Sequence, residues 1–204
     1  MSKLIWNKEA GVGFYPVAPN GIYNKQYWDE YQERSKTSIG TELNKKRVEL
    51  VEKYCPKKLI VDIGIGAGHF ISLRDELVGP RLTAGYDVNL HGVRWLIDRG
   101  IWYDPWFKSP NRVTLWDVLE HMPYPQDLIK HVREFIFCST PIFRNEDHAK
   151  NSKHFKPGEH LWYFTRDGLV RTMAKGGLEL LEENKMEEEL GREDIGTFVF
   201  RRKA

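Results

Sequence analysis

The sequence predicts an α/β protein built on a mainly parallel sheet with helices on both faces. Three observations predict it. From residue 58 onward, short apolar segments alternate with stretches of helical period. A glycine-rich turn follows the first apolar segment, and acidic and imidazole residues gather just past the ends of the later ones. Alternation of this kind gives parallel strands joined by crossover helices, and such sheets bind ligands at the carboxyl ends of their strands.

The elements follow in order. Residues 1–31 carry Trp6, Phe14, Tyr15, Tyr23, Tyr27, Trp28 and Tyr31 among Gly and Pro, in neither strand nor helix period. Such a segment cannot form its own core, so residues 1–35 are expected to lie across the domain formed by residues 36–204, either as a cap over a pocket or packed on the back of the fold. TELNKKRVELVEKY, with Leu43, Val48, Leu50 and Val51 on one face, predicts a helix ended by Pro56. KLIVDI predicts a first strand, GHFISLRDELV a helix, RLTAGYDV a second strand and LHGVRWLIDR a second helix of the alternation. IWYD predicts a short third strand and NRVTLWDV a fourth. QDLIKHVRE predicts a helix, FIFCSTP a fifth strand, and TRDGLVRTMAK a helix stopped by Gly176 and Gly177. LELLEE and TFVFRR close the sheet. The stretch from Ile142 to Gly158 is a long polar loop of the kind that carries function.

Composition narrows the classes. Over 204 residues, 41% hydrophobic and 29% charged residues describe an ordinary globular chain, and a net charge of +2 gives no global field for nucleic acid. No apolar run reaches membrane-span length and the N-terminus lacks a signal-peptide core, so a cytoplasmic, membrane-free protein is expected. Cys55 and Cys138 form no CxxC pair and read as buried free thiols.

Gly64, Gly66 and Gly68 open the first helix of the alternation with G-x-G-x-G spacing. Glycine there allows positive φ and a close ligand approach, and the helix start offers free N–H groups. His69 stands where a dinucleotide loop needs glycine, and Gly-Lys-Ser/Thr is absent. Asp62 disfavours a pyrophosphate but suits a cation, while Asp87 ends the second strand where a carboxylate accepts ribose hydroxyls. A ribose plus a positive charge describes S-adenosylmethionine.

VDIGIGAGHF, the Asp87 strand end, WDVLEHMPYPQDL, STP and EHLWYFTRDGL together resemble class I S-adenosylmethionine-dependent methyltransferases, over about residues 23 to 201. The resemblance is to small single-domain enzymes such as the ubiquinone-biosynthesis O-methyltransferases. It implies a Rossmann-like seven-stranded sheet with the last strand antiparallel. One departure is that HVRE runs straight into FIFCST without a Pro-Gly-Gly turn. By that resemblance Gly64, Gly66 and Gly68 pass under the methionine, Asp87 holds the ribose and Val88 packs on the adenine. Asp104 accepts the adenine amino group or forms a turn before Pro105, and Trp116 and Asp117 lie beside the methionine end.

Asp117, Glu120 and His121 would share one face of a helical turn, and His160 is a possible fourth ligand for Mg²⁺ or Mn²⁺. Metal-dependent methyltransferases of small-RNA 3′ ends carry a similar pattern. Alternatively, Asp117 and Glu120 form a capping box. His121 or His160 would otherwise serve as general base, with Tyr163 shaping the acceptor pocket. The expected activity is methyl transfer to an oxygen, nitrogen or carbon of a small molecule. Alternatives are an RNA acceptor, contacted by Lys150, Lys153, Lys156, Arg201, Arg202 and Lys203, or a non-catalytic cofactor-binding module.

Overall fold

In a computed structural model, residues 3–16 and 203 inward to 23 are described. Residues 1–2, 17–22 and 204, including eight residues of the expected cap, lie outside the described residues. The described chain contains β1 (Ile5–Asn7), β2 (Val12–Phe14), α1 (Lys25–Ser35), α2 (Ser38–Tyr54), β3 (Ile60–Ile63), α3 (His69–Leu77), β4 (Thr83–Tyr86) and α4 (Leu90–Asp98). These are followed by β5 (Arg112–Trp116), a 3-10 turn (Leu119–His121), α5 (Pro125–His131), β6 (Phe135–Pro141), α6 (Glu146–Asn151), β7 (Trp162–Phe164), α7 (Arg166–Lys175), β8 (Leu178–Asn184), α8 (Met186–Glu189) and β9 (Ile195–Arg202).

The central sheet is mixed, with six strands in the order β4-β3-β5-β6-β9-β8. The expectation of seven is corrected at IWYD, which makes a single parallel bridge, Trp102 to Gly85. The reason is local: Asp104 Oδ1 accepts from the N–H groups of Trp106 (2.8 Å) and Phe107 (3.2 Å), so the chain turns before a second pair forms.

Two compact units divide the chain. The first is Tyr23–Leu115. In it β3 pairs in parallel with β4 and β5, and all four β3 residues are buried. α2 begins at Thr37, whose side chain accepts from Gly40 N, and its buried face carries Leu43, Val48, Leu50 and Val51 as its period demands. Arg74 of α3 is fully buried, pairs with Glu52 (2.6 Å) and also donates to the carbonyls of Lys58 and Leu82. Ile65, Ile71 and Leu96 form a core cluster against which Trp28 and Trp95 pack.

The second unit joins the N-terminal residues to Trp116–Ala204. There β9 pairs antiparallel with β6 and β8, as expected of a closing strand. Two features differ from expectation. The aromatic N-terminal segment forms β1 and β2 in a separate three-stranded sheet, where β1 pairs with β2 and β2 with β7. The polar stretch after Ile142 contains α6, started by Asn145, whose side chain accepts from His148 N. Cys55 and Cys138 are both buried free thiols. Among the described residues no helix is long and apolar enough to cross a membrane.

Candidate functional site

The glycine turn belongs to the Tyr23–Leu115 unit. Gly64, Gly66 and Gly68 have φ of 72°, 54° and 72°, a run of left-handed residues that only glycine adopts without strain. Space adds a second constraint: a Cβ on Gly68 would lie 2.7 Å from the Trp95 ring. α3 starts directly behind the turn.

Asp87 follows β4 and is 8% exposed. Its carboxylate accepts from the backbone N–H of Asn89 (2.7 Å). The N–H groups of Val88, Ile65 and Gly66 also favour its charged form, which links the strand end to the glycine turn. Burial moves its pKa up to about 6 against the pull of those N–H donors. Asp62 is 1% exposed inside β3, accepts from the Thr114 hydroxyl at 2.6 Å, and is pushed up to about 7 by burial. Val88 is largely exposed. Asp104 is committed to its turn, the second of its two expected roles.

α1 lies against this turn. Gln32 Nε2 donates to Ala67 O (3.0 Å), Asn89 Nδ2 donates to Asn24 O (3.2 Å), and a Cβ on Gly66 would come 3.2 Å from the Tyr31 ring. Tyr27 stacks on Tyr31 with centroids 4.4 Å apart. Tyr27 is pushed to a high pKa, first by burial and then by Tyr31. Sequence reading assigned no role to Gln32, because a glutamine on a polar helix carries no signal of its own.

The DVLEH stretch belongs to the other unit. Asp117 has φ of 58°, so the chain leaves β5 through a left-handed residue and only Leu119–His121 make a helical turn. The shared helical face does not form, and the turn's N-cap, Val118, makes no side-chain capping bond, so the capping box is absent. Asp117 Oδ2 instead accepts from Arg192 Nη2 at 2.9 Å, and Arg192 also pairs with the fully buried Glu187. Burial works against the charge on Arg192, but those two carboxylates outweigh it and raise its pKa. Arg192 was not legible in sequence, lying 75 residues away with no motif around it.

Glu120, His121 and His160 do converge. One ligand atom from each falls within 4.8 Å of the others. The connecting backbone sets this up, because Leu161 N donates to Glu120 O at 2.8 Å and brings the His160 segment onto the turn. His121 Nδ1 lies 3.0 Å from Glu159 O, and since a carbonyl only accepts, Nδ1 carries the proton. Its Nε2 lone pair is then free, 4.0 Å from Glu120 Oε1. His160 is 4% exposed and its Nδ1 is buried without a hydrogen-bond partner.

Electrostatics fit the same picture. Burial, then Asp117, raises Glu120 to about 8, while Thr140 Oγ1 donates to its Oε2 at 3.0 Å. Burial also holds both imidazoles neutral, with His160 lowered to about 3 and His121 lowered in the same direction. A buried carboxyl and two neutral imidazoles are a donor set suited to a divalent cation. Asp117 lies outside this set. Trp116 is 7% exposed. Tyr163 is fully buried in a cluster with Leu4, Phe143 and Ala149, and burial raises its pKa to about 12, so it serves the core.

Comparison with known proteins agrees in fold. The family described as methyltransferase domain matches residues 31–183. Magnesium protoporphyrin IX methyltransferase (ChlM) from Synechocystis PCC 6803, solved with bound SAH, superposes with a TM-score of 0.60 at 12% identity, over 89% of this chain and 96% of that one. The methyltransferase domain of bacterial CtHen1-C superposes with a TM-score of 0.56 at 20% identity, over 82% and 100%. The (4+2)-cyclase SpnF gives 0.59 at 13% identity, over 93% and 98%. These identities speak for fold, and the cyclase illustrates that one fold carries more than one chemistry. No curated protein sequence matches the chain.

Proposed function

The chain belongs to the methyltransferase-domain family and is an S-adenosylmethionine-dependent methyltransferase, and we propose that its acceptor is a small molecule. The observation that supports cofactor use by these residues is the tie between Asp87 and the glycine turn. Three left-handed glycines leave a backbone cradle with no Cβ, and a buried carboxylate stands at the end of the adjacent strand. In this reading the ribose hydroxyls donate to Asp87, the methionine lies along residues 64–68, and Val88 meets the adenine. Asp62 acts on the turn from below, through β3 and Thr114, rather than by touching the cofactor. Bound S-adenosylmethionine supplies a sulfonium methyl, and positioning for in-line displacement supplies much of the rate.

α1 completes the cap in this reading. Tyr31 covers Gly66 and Gln32 holds Ala67, so the aromatic segment encloses the cofactor and excludes water. Calorimetric titration with S-adenosylhomocysteine tests the proposal. Saturable 1:1 binding is expected, at least tenfold weaker in Asp87→Ala and lost in Gly66→Val. Absence of binding by the unaltered protein would sink it.

A second element rests on the Glu120, His121 and His160 cluster. We propose that these three side chains hold Mg²⁺ or Mn²⁺, with the Glu159 carbonyl orienting His121 and Thr140 orienting Glu120. A cation there would polarise an acceptor hydroxyl and lower its pKa, which favours oxygen over carbon as the methylated atom. Since Glu120 must lose its proton on binding, affinity for Mn²⁺ should rise from pH 6.5 to pH 8. Electron paramagnetic resonance of added Mn²⁺ checks this, and equal binding by His160→Asn would dismiss the cluster as a metal site.

A further inference from the structure

A second cavity in the unit of Trp116–Ala204 carries chemistry that the cofactor cradle and the metal cluster do not use. It is a groove of about 710 Å³ between the β1–β2 turn, the segment after β6, the start of α7 and the end of β8. Four carboxylates line it, and each is already engaged. Arg166 pairs with Glu183 (2.7 Å) and Asp167 (3.0 Å), Lys185 with Glu188 (3.1 Å), and His148 with Asp194 (3.4 Å).

Three further cations line the same groove with no carboxylate partner among the described residues: Lys8, Arg144 and Arg171. Arg171 donates only to the carbonyl of Ala10, at 3.0 and 3.3 Å, which fixes the β1–β2 turn that carries Lys8. Arg144 is placed by its backbone N–H, which donates to His148 Nδ1 at 3.1 Å. The groove therefore sets five Lys and Arg side chains against four carboxylates, a small positive excess concentrated on the three cations that have no carboxylate partner. Guanidinium forks with an ammonium are the donor set for phosphate oxygens.

The groove and the metal cluster share one stretch of chain. Thr140, which donates to Glu120, precedes Arg144 by four residues, so their Cα atoms lie at most about 15 Å apart. We infer that Lys8, Arg144 and Arg171 bind a phosphate group of the acceptor, which makes the acceptor a small phosphate ester. This rests on the small-molecule methyl-transfer reading given above. A long polyanion fits less well, because the four engaged carboxylates flank the cations.

The test titrates the full-length protein with inorganic pyrophosphate at low salt in the presence of EDTA, alongside Lys8→Gln/Arg144→Gln. Both side chains are exposed, so the fold should hold, and S-adenosylhomocysteine binding and thermal midpoint serve as controls. Saturable pyrophosphate binding that weakens at least tenfold in the double variant, with the controls unchanged, is the expected result. Absence of binding, or equal binding by the variant, overturns the assignment. So does a single-stranded oligonucleotide that binds more than tenfold tighter with a salt slope steeper than about −2, the value for three phosphate contacts on a single strand. If S-adenosylhomocysteine itself fails to bind, the methyl-transfer reading falls; if it binds and pyrophosphate does not, only the groove assignment falls.

Discussion

Replacing Glu120 by Gln removes the ionisable group at the centre of the imidazole cluster while keeping its shape. Glu120 is 1% exposed and its pKa is raised from 4.5 to about 8, chiefly by burial and then by Asp117. Ionising it in the folded protein costs on the order of 5 kcal/mol, at about 1.4 kcal/mol per pH unit. Between those two values the unfolded chain has released a proton that the fold retains, so stability falls as pH rises through that range and levels off above 8. Asp62, raised to about 7, and Asp87, raised to about 6, act in the same direction at lower pH. His160 and His121, both lowered, act oppositely below pH 6.5. From pH 7 to 8 Glu120 supplies most of the change, with a smaller part from Asp62 near pH 7. Thermal denaturation followed by circular dichroism in EDTA should show the protein losing about 1 kcal/mol across that interval, or roughly 2–4 °C. Glu120→Gln should lose most of that slope and melt several degrees higher at pH 8.5. A flat profile in the unaltered protein, or the same slope in the variant, would refute the assignment of a protonated buried carboxyl.

Two further outcomes follow from buried ion pairs. Arg192→Ala takes a guanidinium from both Asp117 and the fully buried Glu187, and should cost about 3 kcal/mol, read as a lowered urea midpoint, with Arg192→Lys recovering part of it. Arg74→Met leaves the Lys58 and Leu82 carbonyls without their guanidinium donor and withdraws the partner of Glu52. It should cost a similar amount without changing Mn²⁺ binding.

Most of the alternating region was legible because period and capping agree with the final packing. α2, α3, α4, β3–β6, α7 and the closing pair β8–β9 fall where the apolar spacing puts them. The aromatic N-terminal segment was not, since β1 and β2 have three residues each and exist through pairing with one another and, for β2, with β7, itself three residues long. Such strands have no pattern of their own to detect. α1 was missed for a related reason: none of its residues is buried, so it shows no apolar face. At the candidate site, the glycines and Asp87 were readable from backbone demands and strand position. His121 and His160 were readable as donors, but the positive φ of Asp117, which removes it from their face, depends on the pairing of Asp117 N with Ser139 O and on Arg192.

A crystal structure of the protein with S-adenosylhomocysteine bound tests the central claim most directly. The account predicts both ribose hydroxyls within hydrogen-bond distance of Asp87 Oδ1 or Oδ2 and the homocysteine running along residues 64–68, with Tyr31 against the ligand. A ligand bound elsewhere, with Asp87 out of reach of its ribose, would contradict it.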